Sequence, residues 1–233
     1  MEAPVLVKFA KSAYIGLCAN LVCPIYNVFG TGILEMFLPH PTPQPPKGSY
    51  KKIRETLLFV MSAAHARGYV PTQYDLVKAL FIADFHHMNR YGRPVTFDSH
   101  VAMEHGPVPT AAYNMLKPQF NWALIFGDNR APFNMRASKR GPADVYEYFE
   151  TFSKPDLNLL SKSDQEELES ALSYVIEKGF FGVRDWTHDL EAYKSAWAER
   201  GDKRSTPMDT RLLLESGDKK EAEAIAFASH HLA

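Results

Sequence analysis

Between Tyr50 and Ala233 the sequence has no cysteine; its two, Cys18 and Cys23, both fall in the first tenth of the 233 residues. That long stretch therefore holds no disulfide framework, no cysteine metal site and no cysteine nucleophile, which suits a reducing cytoplasm. Charge of one sign is also scarce. Twenty-six Lys and Arg face 27 Asp and Glu, a balance that does not call for a polyanionic partner such as nucleic acid. Neither G-x-S-x-G nor a glycine-rich phosphate loop is present. What remains is an apolar fraction of 45%, that of a globular protein, in a length suited to one domain plus an extension.

The extension comes first. From Ala13 to Leu38 there is no Lys or Arg, and Glu35 is the only formal charge. Lys8 and Lys11 precede this run, giving the outline of a signal peptide or a membrane span. Asn20, Pro24, Asn27, Gly30 and Gly32 interrupt that outline, and Leu17 and Val22 are too large to precede a lipoprotein cysteine. A buried or partner-binding apolar arm is the expectation. A start at Met36 would leave the rest intact. "PHPTPQPPKGSY" then reads as an extended, stiff linker. The division expected is an apolar arm and linker over 1–47 and a domain over 48–233.

Inside the domain the apolar spacing is mostly helical. Ile53, Leu57, Val60, Met61 and Ala64 predict a helix that Gly68 ends. Thr72 caps a second, from Gln73 to about Asn89, with Asp84 as the one carboxylate on its core side. Gly92 ends it and Pro94 opens an extended piece. Val101 to Met103 is a short strand. In "GPVPT" the prolines exclude helix before Thr110, which is expected to cap the helix through Met115 and Leu116, so the pentapeptide reads as a rigid strand-to-helix corner. Residues 119–142 are read as loops, and "DVYEYFETF" as a strand. Ser163 and Glu166 form an S-x-x-E box before a helix ending at Gly179. Further helices are expected over 185–199, 208–215 and 219–231. The fold class is mainly α with a small β element (α+β).

Candidate chemistry is thin. His86 and His87 are adjacent, so they diverge by about 100° around a helix, unlike the i, i+4 pair of zinc proteases. Asp84 and His87 would need Glu104 and His105 to complete a metal site. Otherwise the two histidines sit on a partly exposed helix end. Glu104 and His105 could form an acid/base pair, but no nucleophile accompanies them. Asp84 reads as a core carboxylate taking backbone donors, with the "GPVPT" corner as one source of them. Arg130, Arg136, Lys139 and Arg140, near Trp122 and Phe126, are a basic loop for an acidic partner or for phosphates.

Residues 74–117, "YDLVKALFIADFHHMNRYGRPVTFDSHVAMEHGPVPTAAYNMLK", resemble the Panacea domain of SocA-like antitoxins. The likeness rests on Asp84 at its helix, the Tyr91-Gly92-Arg93-Pro94 turn, Met103, Gly106-Pro107-Val108-Pro109, Tyr113, and later His188 and Trp197. It spans roughly 53–215 and implies a compact helical domain. It also implies a non-enzymatic, cytoplasmic antitoxin of a bacterial or phage pair, needing no cofactor and binding directly a toxin encoded by an adjacent gene. An adaptor delivering its toxin to the ClpXP protease, or a small metal-dependent hydrolase, is the alternative. By the same resemblance the motif residues are scaffold. The toxin is then expected to meet variable parts: residues 1–38, the carboxy-terminal helices, and 119–142 with Trp122, Phe126, Arg130, Arg136 and Arg140.

Overall fold

The computed structural model describes residues 47–215; the apolar arm, most of the linker and the helix expected over 219–231 lie outside the described residues. The described part is helical with small antiparallel sheets, as the fold class anticipates. Helix α1 (Lys47–Ala66) packs beside α2 (Gln73–Tyr91), the central element, thirteen of whose residues are buried. Thr72 and Asp75 close a capping box at its start, and Gly92, left-handed at φ 67°, ends it. Strands β1 (His100–Met103) and β2 (Gly106–Pro109) form a tight hairpin that leads into α3 (Thr110–Met115). β5 (Ser205–Pro207) joins the other edge of β1, so the sheet order is β2-β1-β5.

Segment 119–142 is more regular than its sequence suggests. It holds the single turn α4 (Trp122–Phe126) and a full strand, β3 (Phe133–Arg140), antiparallel to β4 (Ala143–Thr151). β3 escapes notice because Phe133 alone is buried in it, so most of the strand carries no apolar alternation. The hairpin is pinned to the core by Tyr148, which donates its N–H to Pro71 O (3.0 Å) and its hydroxyl to Leu116 O.

Two helix starts correct the expectations. α5 (Lys162–Asp189) is capped by Ser161 with Asp164, not by Ser163 with Glu166. Ser163 is already engaged by His87 Nε2 at 3.0 Å, while Asp164 also meets Lys52, Arg93 and His87. Gly179 interrupts α5 with φ 62° and ψ −172°, as its place at the end of the apolar stripe foretold. The chain then turns at Leu190 into a separate α6 (Glu191–Ala198), where one helix over 185–199 was expected. Of the helix expected over 208–215, a 3-10 turn at Thr210–Leu213 remains.

Candidate functional site: a cleft floored by a buried lysine

Two aspartates build the frame. Asp84, fully buried on α2, accepts the N–H groups of Val95 (2.8 Å) and Thr96 (2.7 Å) and the Thr96 hydroxyl, with His100 Nε2 at 3.2 Å. It is the core carboxylate expected, but its donors lie in the 93–99 loop and not in the corner. The corner belongs to Asp98, whose carboxylate accepts the N–H groups of Ala111 (3.0 Å) and Ala112 (2.9 Å). Thr110 is therefore not the cap of α3. Its hydroxyl donates to Ser99 O at 2.6 Å, and Asp98 satisfies the free N–H groups of the first turn from outside the helix.

With the corner held, the β1–β2 turn meets α2 and α5 closely. Gly106 has φ +97°, and a Cβ there would stand 2.6 Å from Thr187 Oγ1 and 2.7 Å from Lys78 Nζ. Only glycine lets the strand approach this near. Lys78 uses the space: 1% exposed, it donates to Pro107 O at 2.7 Å. It is the only lysine or arginine buried among the described residues, and no carboxylate among them lies within ion-pairing distance of it. Burial without a counter-charge pushes its amine well below the usual lysine range. His188, on the far side of Gly106, is also lowered, by burial and then by the Lys78 charge; its Nε2 has no partner among the described residues.

Lys78 forms part of the lining of a cleft of about 810 Å³. Its walls are the start of α2 at Tyr74, the β1–β2 turn, the free end of the β3–β4 hairpin at Val145 and Tyr146, and Phe180 and Phe181 after the break in α5. The lining is chiefly apolar, and Phe181 (67%), Tyr146 (38%) and Phe180 (37%) are exposed around it. Nothing in the residue-type patterns singled out Lys78. The signal was there: it stands four residues after Tyr74 and three before Phe81, on a face otherwise buried.

The remaining candidates scatter. Glu104 and His105 are exposed in the turn and line the cleft, His105 packing edge-on to Phe180. His87 is not at an exposed helix end: it is fully buried, with Nδ1 at 2.7 Å from Arg93 O, and burial lowers its imidazole. His86 is the half-exposed one, 3.7 Å from Glu167. Among the described residues no three His, Cys, Asp or Glu converge as a metal site would require. No helix there is long and apolar enough to cross a membrane.

Of the motif residues, Gly92 caps α2, Pro94 is buried, and Tyr91 is exposed with its ring 4.6 Å from His87. Pro107 and Val108 are buried in β2, and Tyr113 stacks under Lys117. Met103 O accepts the Tyr193 hydroxyl at 3.0 Å, and Tyr193 is stacked between His188 and Trp197. Of the expected interface, Trp122 is a correction. It is 6% exposed and packs on Phe120, Phe126 and Phe133, because α4 turns its aromatic side into the core. Phe126 is half-buried against Arg54. Arg130 covers Phe152, Arg136 pairs with Glu147 at 3.0 Å, and Arg140 reaches Asp75 and the cleft.

Compared with known proteins, residues 76–194, just over half of the chain, match the family model described as antitoxin SocA-like, Panacea domain. The matched span runs from α2 through the corner, the hairpin and α5 into α6, and so includes every wall of the cleft except its edge before Leu76. No curated protein and no solved structure matches the chain. The chain belongs to the antitoxin SocA-like, Panacea domain family.

Proposed function

We propose that this protein is a non-enzymatic, cytoplasmic antitoxin that neutralises one cognate toxin by binding it directly. What carries the reading is the family match over the packed core of the described domain. Two further features support it. The buried polar side chains Asp84, Asp98 and Tyr148 are spent on holding backbone in place. The cleft, by contrast, presents exposed aromatic side chains, the residue type enriched at protein interfaces.

The test is rescue in a bacterial host. The adjacent reading frame is induced alone and then together with this protein. Growth arrest relieved by co-expression, with a complex that co-purifies, is the expected result. A harmless neighbour, or arrest that this protein leaves unrelieved, would overturn the reading.

A further inference from the structure

We infer that the toxin docks in the cleft floored by Lys78, inserting an apolar segment that carries an acidic side chain to meet the lysine amine. This rests on the antitoxin reading and names the surface through which it works.

Charge complementarity selects the occupant. The other charges buried among the described residues have opposite charges or several donors beside them. Glu55 pairs with Arg54 (2.7 Å), Glu167 with Arg90 (2.6 Å), and Asp164 with Lys52 and Arg93. Asp98 takes two helix N–H groups. Lys78 has a single carbonyl and two donors to spare. The charged groups around it supply nothing nearer: His188, Arg184 and Asp185 on α5, His105 and Glu104 in the turn, Asp75 on its own helix, and Arg140 and Asp144 on the hairpin. Asp75 is occupied by the helix cap and Arg140, and Asp144 by Lys139. A carboxylate brought in by the toxin gives the two spare donors an acceptor, and apolar walls strengthen that pairing by excluding water.

Access is through the aromatic layer. The Lys78 amine lies 5.4 Å from the centre of the Tyr74 ring, which packs on Phe180 at 4.7 Å and donates its hydroxyl to Phe180 O at 3.1 Å. Phe180 directly follows Gly179, the one non-helical residue within α5. The layer between lysine and solvent is thus hung on a helix break, and a shift of Phe180 there opens the floor. Phe181, two-thirds exposed beside it, is the first contact for an incoming apolar segment.

The test uses the full chain and the purified product of the adjacent reading frame that the rescue experiment identifies. Phe181→Glu and Phe181→Lys change an exposed position, so both variants fold, and far-UV circular dichroism verifies this. Binding by calorimetry is expected to weaken about tenfold or more for Glu and distinctly less for Lys, because only Glu repels an acidic segment. Titrations from about pH 7 to about pH 10, each in two buffers of different ionisation enthalpy, are expected to reveal net proton uptake on binding over part of that range. Burial holds the free amine below the usual lysine range, and a facing carboxylate raises it. Lys78→Met is expected to lose that uptake.

Unchanged affinity in both Phe181 variants, with rescue intact, would overturn the cleft and leave the antitoxin reading standing. Equal weakening by Glu and Lys with no proton uptake would overturn the acidic contact. Failure of the wild-type protein to rescue would overturn both.

Discussion

Replacing Gly106 by alanine tests the tightest glycine position among the described residues. The substitution forces a side chain onto a residue at φ +97°, which for non-glycine residues costs about 1–2 kcal/mol. The new Cβ also meets Thr187 Oγ1 at 2.6 Å and Lys78 Nζ at 2.7 Å. Both are side-chain tips and can give way, but each is held. Thr187 donates to Arg184 O at 3.0 Å, and Lys78 to Pro107 O at 2.7 Å. Displacing the lysine leaves a buried carbonyl and a buried amine without partners, a further loss of about 1–3 kcal/mol. The total, about 2–5 kcal/mol, is a large part of the stability of an ordinary domain. Urea unfolding followed by far-UV circular dichroism measures it. Lys78→Met provides the control: with the amine gone, Gly106→Ala should cost less, leaving mainly the backbone part. A Gly106→Ala midpoint equivalent to within about 0.5 kcal/mol of wild type would refute the claim that the turn must lack a Cβ.

Asp98→Ala leaves the N–H groups of Ala111 and Ala112 uncapped in a buried corner and should cost about 2 kcal/mol in the same assay; a neutral result would return the capping role to Thr110. Trp122→Ala should cost about 3–5 kcal/mol of stability, as a buried aromatic does; a loss of toxin affinity in a fully stable variant would put Trp122 back at the interface. Burial pushes the Asp98 carboxyl up to about 6, so its contribution to stability is complete below 3.8 and is lost as pH rises through 6. Burial lowers His87, so its contribution is complete above 6.5 and is lost as pH falls below that value. The two oppose each other, and Asp98→Asn should therefore make the urea midpoint drop more steeply than wild type between pH 7 and pH 5. An unchanged slope would show that Asp98 is already ionised there.

What was legible in the sequence was local. Thr72, the apolar run after it and Gly92 mark α2 because capping and periodicity act within a few residues of one another. The prolines of "GPVP" mark the corner for the same reason. The failures are all non-local, or local rules with two solutions. Asp98 reaches α3 from twelve residues before Thr110, a distance no capping pattern covers. Two overlapping frames, Ser161 with Asp164 and Ser163 with Glu166, both satisfy the box, and the ion pairs from Lys52 and Arg93 favour the first. β3 presents charged residues on its outer side and borrows its burial from Trp122 and Tyr148. The helix positions of Lys78 were countable, but its lack of a carboxylate depends on what α5 and the β1–β2 turn place around it.

That dependence joins scaffold to site. Reading the motif residues as pure scaffold separates them from any partner, yet Gly106 and Pro107 are the residues that position the Lys78 amine. The corner is buried, and it sets where the charge lies. Phe181 and Tyr146 stand outside this arrangement, exposed at the rim on two different elements, with no hydrogen bond to the corner that a substitution could break. A domain built this way can change its rim to suit a different apolar surface while leaving its floor intact. Exchanges at Phe181 and Tyr146 should therefore shift which toxin is bound at little cost in stability, whereas exchanges at Gly106 or Lys78 should weaken every partner together.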